Sequence, residues 1–158
     1  RSKPVLADPK GKDFGKYKGV TVLTPNRREA AEACKLEEGD PDLVRRAGEA
    51  LLAEKRFDTV LITESENGMT AFSHGSNPVH FDASAQEVYD VTGAGDTVIA
   101  CLGVGLAAGM STKHAARIAN VAAGLSVQHL GTVAVSFEEL AAELSQLHPE
   151  TSGHSTAG

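Results

Sequence analysis

The run Thr59-Val-Leu-Ile-Thr63 sets three aliphatic side chains in succession between two threonines, with no polar–apolar alternation. Successive side chains of a strand point to opposite faces, so this run leaves no face for water. It fits a strand covered on both sides, as in a parallel sheet with helices above and below it. The segments before it supply strands and helices in alternation. Pro4 to Ala7 is a short apolar strand bounded by the turn residues Asp8-Pro-Lys-Gly11. Lys10 to Lys18 carries four lysines and reads as a loop. Val20 to Thr24 is a second β-rich run, stopped by Pro25, and a helix then runs from Asn26 through an alanine-rich stretch to about Cys34. Asp40-Pro41 starts another helix, with the acid as N-cap and the proline in the first turn. Leu43, Val44, Ala47 and Leu51 give that helix an apolar face.

Beyond the central run, Gly68 to Phe72 and Val79 to Phe81 read as two strands about the Gly75-Ser-Asn-Pro78 turn, forming an antiparallel edge. Thr97 to Ala108 is apolar nearly all round, which predicts a central helix ended by Gly109. Ser111 caps the next helix, in which Ile118, Val121, Ala122 and Leu125 recur at helical spacing. Gly131-Thr132 marks a turn. Ser136 and Glu139 make a capping box for a last helix carrying Leu140, Leu144 and Leu147. From Pro149 the chain is small and polar and reads as a disordered tail, residues 149–158. Strands alternating with helices predict a layered α/β fold with a mostly parallel sheet. No internal repeat is present.

The 158 residues, 41% hydrophobic and 23% charged, fit one globular domain with a real core. A net charge of -6 argues against a nucleic-acid or anionic-membrane surface. A protein this acidic that handles phosphates must supply positive potential locally, through amides, a few basic side chains or metal ions. Cys34 and Cys101 lie far apart and read as small core-type thiols of a reducing compartment. No signal peptide or apolar run of membrane-spanning length is present, and a cytoplasmic location is expected. None of the six histidines has metal-ligand spacing with another ligand type, so no zinc site is expected. The chain enters a strand almost at once after Arg-Ser-Lys-Pro, which reads as a piece of a longer chain.

The stretch Asp90-Val-Thr-Gly-Ala-Gly-Asp96 carries the chemistry. It follows a short strand-like run, Glu87-Val-Tyr89, and leads directly into the apolar helix. Glycines allow close backbone approach to a ligand, and first-turn amides lack intrahelical acceptors. With the positive end of the helix dipole, that makes an anion site. Asp96 is an acid placed where the anion would sit, a repulsive arrangement unless the acid has a task. Taking a proton from a hydroxyl that attacks a phosphate is such a task. The alternative is an acid that only caps a helix. A Walker loop needs Gly-Lys-Ser/Thr, but Asp96-Thr97 follow Gly95; a dinucleotide fingerprint needs a small residue where Val98 stands.

The seven-residue turn resembles the C-terminal signature of the ribokinase-like (PfkB-type) carbohydrate kinases. The resemblance implies a three-layer α/β fold of which this chain is the C-terminal half. Residues 1–148 would then be the nucleotide-binding portion of a kinase domain, with the N-terminal part and lid missing. It makes Asp96 the general base and the amides of Gly93, Ala94 and Gly95 the anion hole for the transferred phosphoryl group. Asp90 and Thr92 fall where some members bind a monovalent cation such as K+. Asn26 and Glu29, a capping pair on their own terms, match the family's Asn-x-x-Glu around the magnesium–phosphate site. Thr63, Ser65 and Gly68 resemble the turn on the nucleotide side that touches ATP phosphates. Asn120, otherwise a polar residue on a helix face, matches the helix lining the adenine pocket. Gly131 lies in a turn that closes near the cation and adenine edge in relatives.

Asp8-Pro-Lys10, Leu23-Thr-Pro-Asn26 and Gln86-Glu-Val-Tyr89 together resemble the heptose 7-phosphate kinase branch, the kinase part of bifunctional ADP-heptose synthesis proteins. Lys10 is either a phosphate contact or a solvated loop lysine. The resemblance implies ATP and Mg2+ as cofactors and a sugar phosphate as substrate. It implies no nucleic-acid or membrane partner, and a homodimer through the lid in the full-length enzyme. The family's Gly-Gly signature and most of its sugar contacts belong to the half that does not appear here. A nucleotide-binding module without activity of its own is the reading from another class, and an NAD-type domain is a third.

Overall fold

A computed structural model describes residues 3–53, 57–84, 91, 93–128 and 134–147. In it the aliphatic run becomes β3 (Thr59–Thr63), the middle strand of the five-stranded sheet that the described residues form, ordered β1-β2-β3-β4-β5. Here β1 is Leu6–Ala7, β2 Val22–Leu23, β4 Met69–Ser73 and β5 Val79–Phe81. The first three strands pair in parallel; β3–β4 and β4–β5 are antiparallel, the latter forming the edge expected from the turn at Gly75. The strands at Pro4–Ala7 and Val20–Thr24 are shorter than their β-rich runs, because pairing is confined to Leu6–Val22 and Ala7–Leu23.

Helices cover both faces, as the central strand requires. Val60 and Ile62 of β3 join Leu23, Phe72, Ala30 of α1 (Arg27–Cys34) and Ala47 and Leu51 of α2 (Leu43–Ala53) in one core. Leu61, pointing the other way, packs with Val22, Val98 and Leu102 of α3 (Ala94–Ala107) and Ala115, Ala116 and Ala119 of α4 (Thr112–Ser126). Each fully buried Val, Leu or Ile of these layers contributes about 1.5–3 kcal/mol of transfer free energy. On the first face α2 crosses close to Phe72, since a Cβ on Gly48 would meet its ring at 2.5 Å. The last helix, α5 (Phe137–Leu147), lies against α4.

Several boundaries differ from expectation for local reasons. A single turn of 3-10 helix, Gly15–Tyr17, interrupts the lysine-rich loop and buries Phe14 beside it. The α2 helix starts at Leu43 rather than at Asp40-Pro41. Asp40 Oδ1 accepts from the Asp42 amide at 2.8 Å, a side-chain turn that holds the chain outside the helix for two more residues. That amide and, after it, the Arg46 guanidinium hold the Asp40 carboxyl below its usual range.

The α3 helix is not central: Val98, Leu102 and Gly105 are buried, while Val104 is 73% exposed. Its apolar character all round therefore gives no second buried face within the described residues. Gly109, in the left-handed conformation at φ 83°, ends α3: the Met110 amide reaches the Gly105 carbonyl and the Gly109 amide that of Leu106, both at 3.0 Å. Ser111 caps α4, and Ser136 with Glu139 forms the expected capping box of α5. The buried face of α4 includes Ala115, Ala116, Ala119 and Ala122; Ile118 and Leu125 are only partly covered. Cys34 and Cys101 are partly buried thiols beside the two cores, and burial pushes the Cys101 thiol up. The turn at Gly131 and the tail from Pro149 lie outside the described residues.

Gly68 is the most constrained glycine. It holds φ 85° and ψ -127°, and a Cβ there would run into the Phe81 carbonyl oxygen of β5. Gly68→Ala is therefore expected to lower stability by at least about 2 kcal/mol. The midpoint of urea denaturation measures it.

Candidate functional site

Parallel pairing makes β1, β2 and β3 end on one side of the sheet. The Thr24 amide donates to the Ala7 carbonyl at 2.9 Å and the Thr63 amide to the Pro25 carbonyl at 3.0 Å, with a single β-bridge joining Asn26 and Thr63. The residues that leave these strands therefore stand side by side: Asp8 and Lys10 after β1, Thr24 and Asn26 after β2, Thr63 at the end of β3. The crevice beyond the carboxyl ends of parallel strands is where layered α/β proteins bind ligands. Here it is an open cleft of about 200 Å³, lined by those residues, by Glu29 and, across it, by Gly93, Gly95, Asp96 and Val98.

The α3 helix presents its N-terminus to this cleft. Its N-cap, Gly93, sits at φ 85° and gives no side-chain cap, so the helix begins at Ala94 and places Asp96 in its first turn. That start lies three residues ahead of the expected Thr97, because left-handed glycine lets the chain turn directly into the helix. The Thr97 amide makes the first closing bond, to the Gly93 carbonyl at 2.9 Å. The Ala94 amide is turned back onto the Val91 carbonyl at 3.2 Å, so Gly95 and Asp96 carry the first-turn amides with no backbone acceptor among the described residues. A Cβ on Gly95 would meet no protein atom within 4 Å. The fold does not need glycine there; its absence of side chain keeps the helix end open toward the cleft.

Opposite, α1 begins with a complete capping box. Asn26 Oδ1 accepts from the Glu29 amide at 2.8 Å, and Glu29 Oε2 accepts from the Asn26 amide at 2.9 Å. The second carboxylate oxygen, Oε1, takes the Lys10 ammonium at 3.3 Å, and Asp8 Oδ2 takes the same ammonium at 2.9 Å. The hydrogen bond to Asp8, reinforced by the charge of Glu29, raises the Lys10 pKa, with slight burial acting against it.

Among the described residues no group of three or more His, Cys, Asp or Glu stands together as a metal cage. A hard cation in this cleft would take one or two carboxylates and complete its shell with water and ligand oxygens. That donor set fits magnesium carried on a phosphate and fits neither a zinc nor a calcium cage.

Lys10, Asn26, Glu29, Thr63, Gly93, Gly95 and Asp96 are thus brought together. Other expected residues stand elsewhere. Ser65, at φ 53°, lines an adjoining depression with Asn26, Arg27, Arg28 and Glu38. Gly68 is buried just before β4, against the Phe81 carbonyl of β5. Asn120 is 8% exposed, and its Nδ2 donates to the Asp82 carbonyl at 2.7 Å, tying α4 to the segment that follows β5. Asp90 and Thr92 lie outside the described residues. Two polar lining residues escaped the sequence reading, Asp8 and Thr24. The available signal was their place immediately after a strand.

This three-layer arrangement, with its site at the strand ends, is a ribokinase-like fold. The chain belongs to the pfkB family of carbohydrate kinases, a match that spans residues 1–139. It is 51% identical over 148 residues to the bifunctional protein HldE of Geotalea uraniireducens, covering 94% of this chain and 30% of that protein. It is likewise 51% identical over 138 residues to the bifunctional protein HldE of Aeromonas salmonicida, covering 87% and 29%. The chain thus spans less than a third of the length of these relatives. Among solved structures, Arabidopsis thaliana ribokinase complexed with ribose and ATP matches with a TM-score of 0.78 at 26% identity, over 89% of this chain and 47% of that one. Escherichia coli phosphofructokinase-2 in complex with potassium shares the fold, with a TM-score of 0.82 at 18% identity over 91% and 47%.

Two substitutions separate the scaffold of the cleft from its opening. Asn26→Ala removes the cap of α1 and should lower stability by about 1 kcal/mol. Gly95→Ala should leave stability unchanged or raise it by up to about 1 kcal/mol, since alanine favours helix and its Cβ meets nothing. Urea denaturation of both variants checks the opposite signs.

Proposed function

We propose that the full-length protein is an ATP-dependent sugar kinase and that this chain is its nucleotide-binding portion. Residues 149–158 are proposed as a tail beyond it. The observation that carries the reading is one juxtaposition. An uncapped helix N-terminus with Asp96 in its first turn faces Asn26 and Glu29 across a cleft at the strand ends. In this reading Asp96 takes the proton of a sugar hydroxyl, whose oxygen bonds to the γ-phosphorus of ATP. The bond from that phosphorus to the bridging oxygen breaks in line, and ADP leaves. The amides of the Gly93–Gly95 turn receive the charge that grows on the transferred group. Gly95, with the open N-terminus beside it, is the best placed of the three, because the Ala94 amide is engaged by Val91.

Glu29, with Asn26 beside it, would hold Mg2+, which neutralises phosphate charge when bound. Thr63 and Ser65 stand beside Asn26 for contacts to the nucleotide phosphates, and Lys10 reaches the same space. Gly68 belongs to the turn proposed to touch the ATP phosphates and Asn120 to the helix proposed to line the adenine pocket, where it also holds the Asp82 carbonyl. A monovalent cation such as K+ belongs to Asp90 and Thr92.

The substrate we assign is a heptose 7-phosphate, phosphorylated at C1 toward the ADP-heptose of lipopolysaccharide cores. The support is the resemblance of Asp8-Pro-Lys10, Leu23-Thr-Pro-Asn26 and Gln86-Glu-Val-Tyr89 to that branch, together with relatives named bifunctional protein HldE. The reaction would be cytoplasmic and, in the full-length enzyme, dimeric; among the described residues no helix is long and apolar enough to cross a membrane. A second reading, a nucleotide-binding fragment inactive alone, is favoured by the share of the relatives the chain spans.

Asp96→Asn in the full-length enzyme should lower turnover by about 10²–10⁴-fold while nucleotide still binds. A coupled ADP-release assay with heptose 7-phosphate, paired with calorimetry for the nucleotide, reads both. Near-normal turnover in that variant would remove Asp96 as the base.

A further inference from the structure

The cleft is acidic for a phosphate site. Among its described lining residues Asp8, Glu29 and Asp96 face a single basic side chain, Lys10, a formal charge of -2. A polyphosphate entering such a space is repelled unless cations offset the carboxylates. Lys10 is placed to do so before any metal arrives. Its backbone is pinned, with the amide donating to the Tyr17 hydroxyl at 2.8 Å and the preceding Pro9 fully buried. Its side chain is 70% exposed, and the ammonium bridges Asp8 and Glu29 from a flexible stem. Exposed ion pairs of this kind are weak enough to break and remake.

Glu29 makes the arrangement a choice between partners. Its Oε2 is committed to the Asn26 amide in the capping box, and its Oε1 is held by Lys10. Oε1 is the oxygen outside the cap and so the one a cation can take with least disturbance of it. We infer that Lys10 is a displaceable counterion, which holds Glu29 Oε1 until a cation binds there. It yields that oxygen to a divalent cation and turns its ammonium onto the phosphates of the entering nucleotide. The inference rests on the nucleotide reading above and adds to it a coupling between Lys10 and the metal. Asp8 is the second anchor from which the ammonium pivots. A lysine suits this role, being a compact charge on a long stem.

The consequence is that Lys10 matters most when magnesium is absent. The dissociation constant of the β,γ-imido analogue of ATP is measured by calorimetry in the full-length protein, once in excess EDTA and once in excess magnesium. In Lys10→Met the metal-free constant should rise about tenfold, because the phosphates then meet uncompensated carboxylates. The constant with magnesium should change far less, since the lost phosphate contact is offset by the end of competition for Glu29. The ratio of the two constants therefore grows about tenfold, and Lys10→Arg, which keeps the charge, should hold it near the wild-type value. A lysine that merely braces the Asp8 turn would shift both constants by one factor. An unchanged ratio in Lys10→Met thus overturns the inference alone. Wild-type protein that binds no nucleotide even in magnesium would overturn the nucleotide reading and the inference with it.

Discussion

Parallel pairing of three short strands is the constraint on which the rest depends. Only two residues of β1 and two of β2 are paired, yet they make Ala7, Leu23 and Thr63 leave the sheet in the same direction. Asp8, Lys10, Thr24, Asn26, Glu29 and Thr63 are then delivered to one crevice, whatever their distance in sequence. Asp8 and Asp96 are separated by most of the chain and line the same cleft. The bonds from Thr24 to Ala7 and from Thr63 to Pro25 extend that alignment past the regular strands. Burial of Leu61 on one side and of Val60 and Ile62 on the other keeps the register, because a slip by one residue would exchange the two cores.

The two sides of the cleft are built on different principles. On the α1 side the helix end is satisfied by its own side chains, and the box of Asn26 and Glu29 leaves one carboxylate oxygen for outside partners. On the α3 side no side chain among the described residues caps the helix, and Gly95 adds no side chain over its first-turn amide. One wall thus offers negative charge and the other a dipole end of positive sign. That pairing suits a ligand which is itself mixed, phosphates carrying a hard cation. Asn120 and Gly68 hold neighbouring segments together: the first ties α4 to the Asp82 carbonyl after β5, the second leaves room for the Phe81 carbonyl of β5.

Much of this was legible in the sequence because its causes are local. The aliphatic run of β3, the capping pairs Asn26–Glu29 and Ser136–Glu139, and Gly109 after α3 each act within a few residues and appear as read. The cleft was legible only in part. Asp8 and Thr24 are ordinary turn and strand-end residues until the parallel register sets them beside Glu29. The start of α3 was missed because a left-handed glycine can end a turn or open a helix, and residue type does not separate the two. The apolar surround of α3 was misjudged because hydrophobicity says a helix is apolar and not which neighbours cover it; Val104 is open. Gly68 shows the converse: the contact that requires glycine there, the Phe81 carbonyl, comes from β5 and leaves no local signal.

The central claim is that the strand ends and the α3 N-terminus close on one metal–nucleotide phosphate group. Hydrogen–deuterium exchange of the full-length protein with magnesium, ADP and aluminium fluoride tests it most directly, since the fluoride complex stands in for the transferred group. Amides from Gly93 to Val98 and from Thr24 to Glu29 should slow together on addition of the complex, while α5 exchanges as before. Protection confined to other segments, with the Gly93–Val98 amides unchanged, would contradict the account.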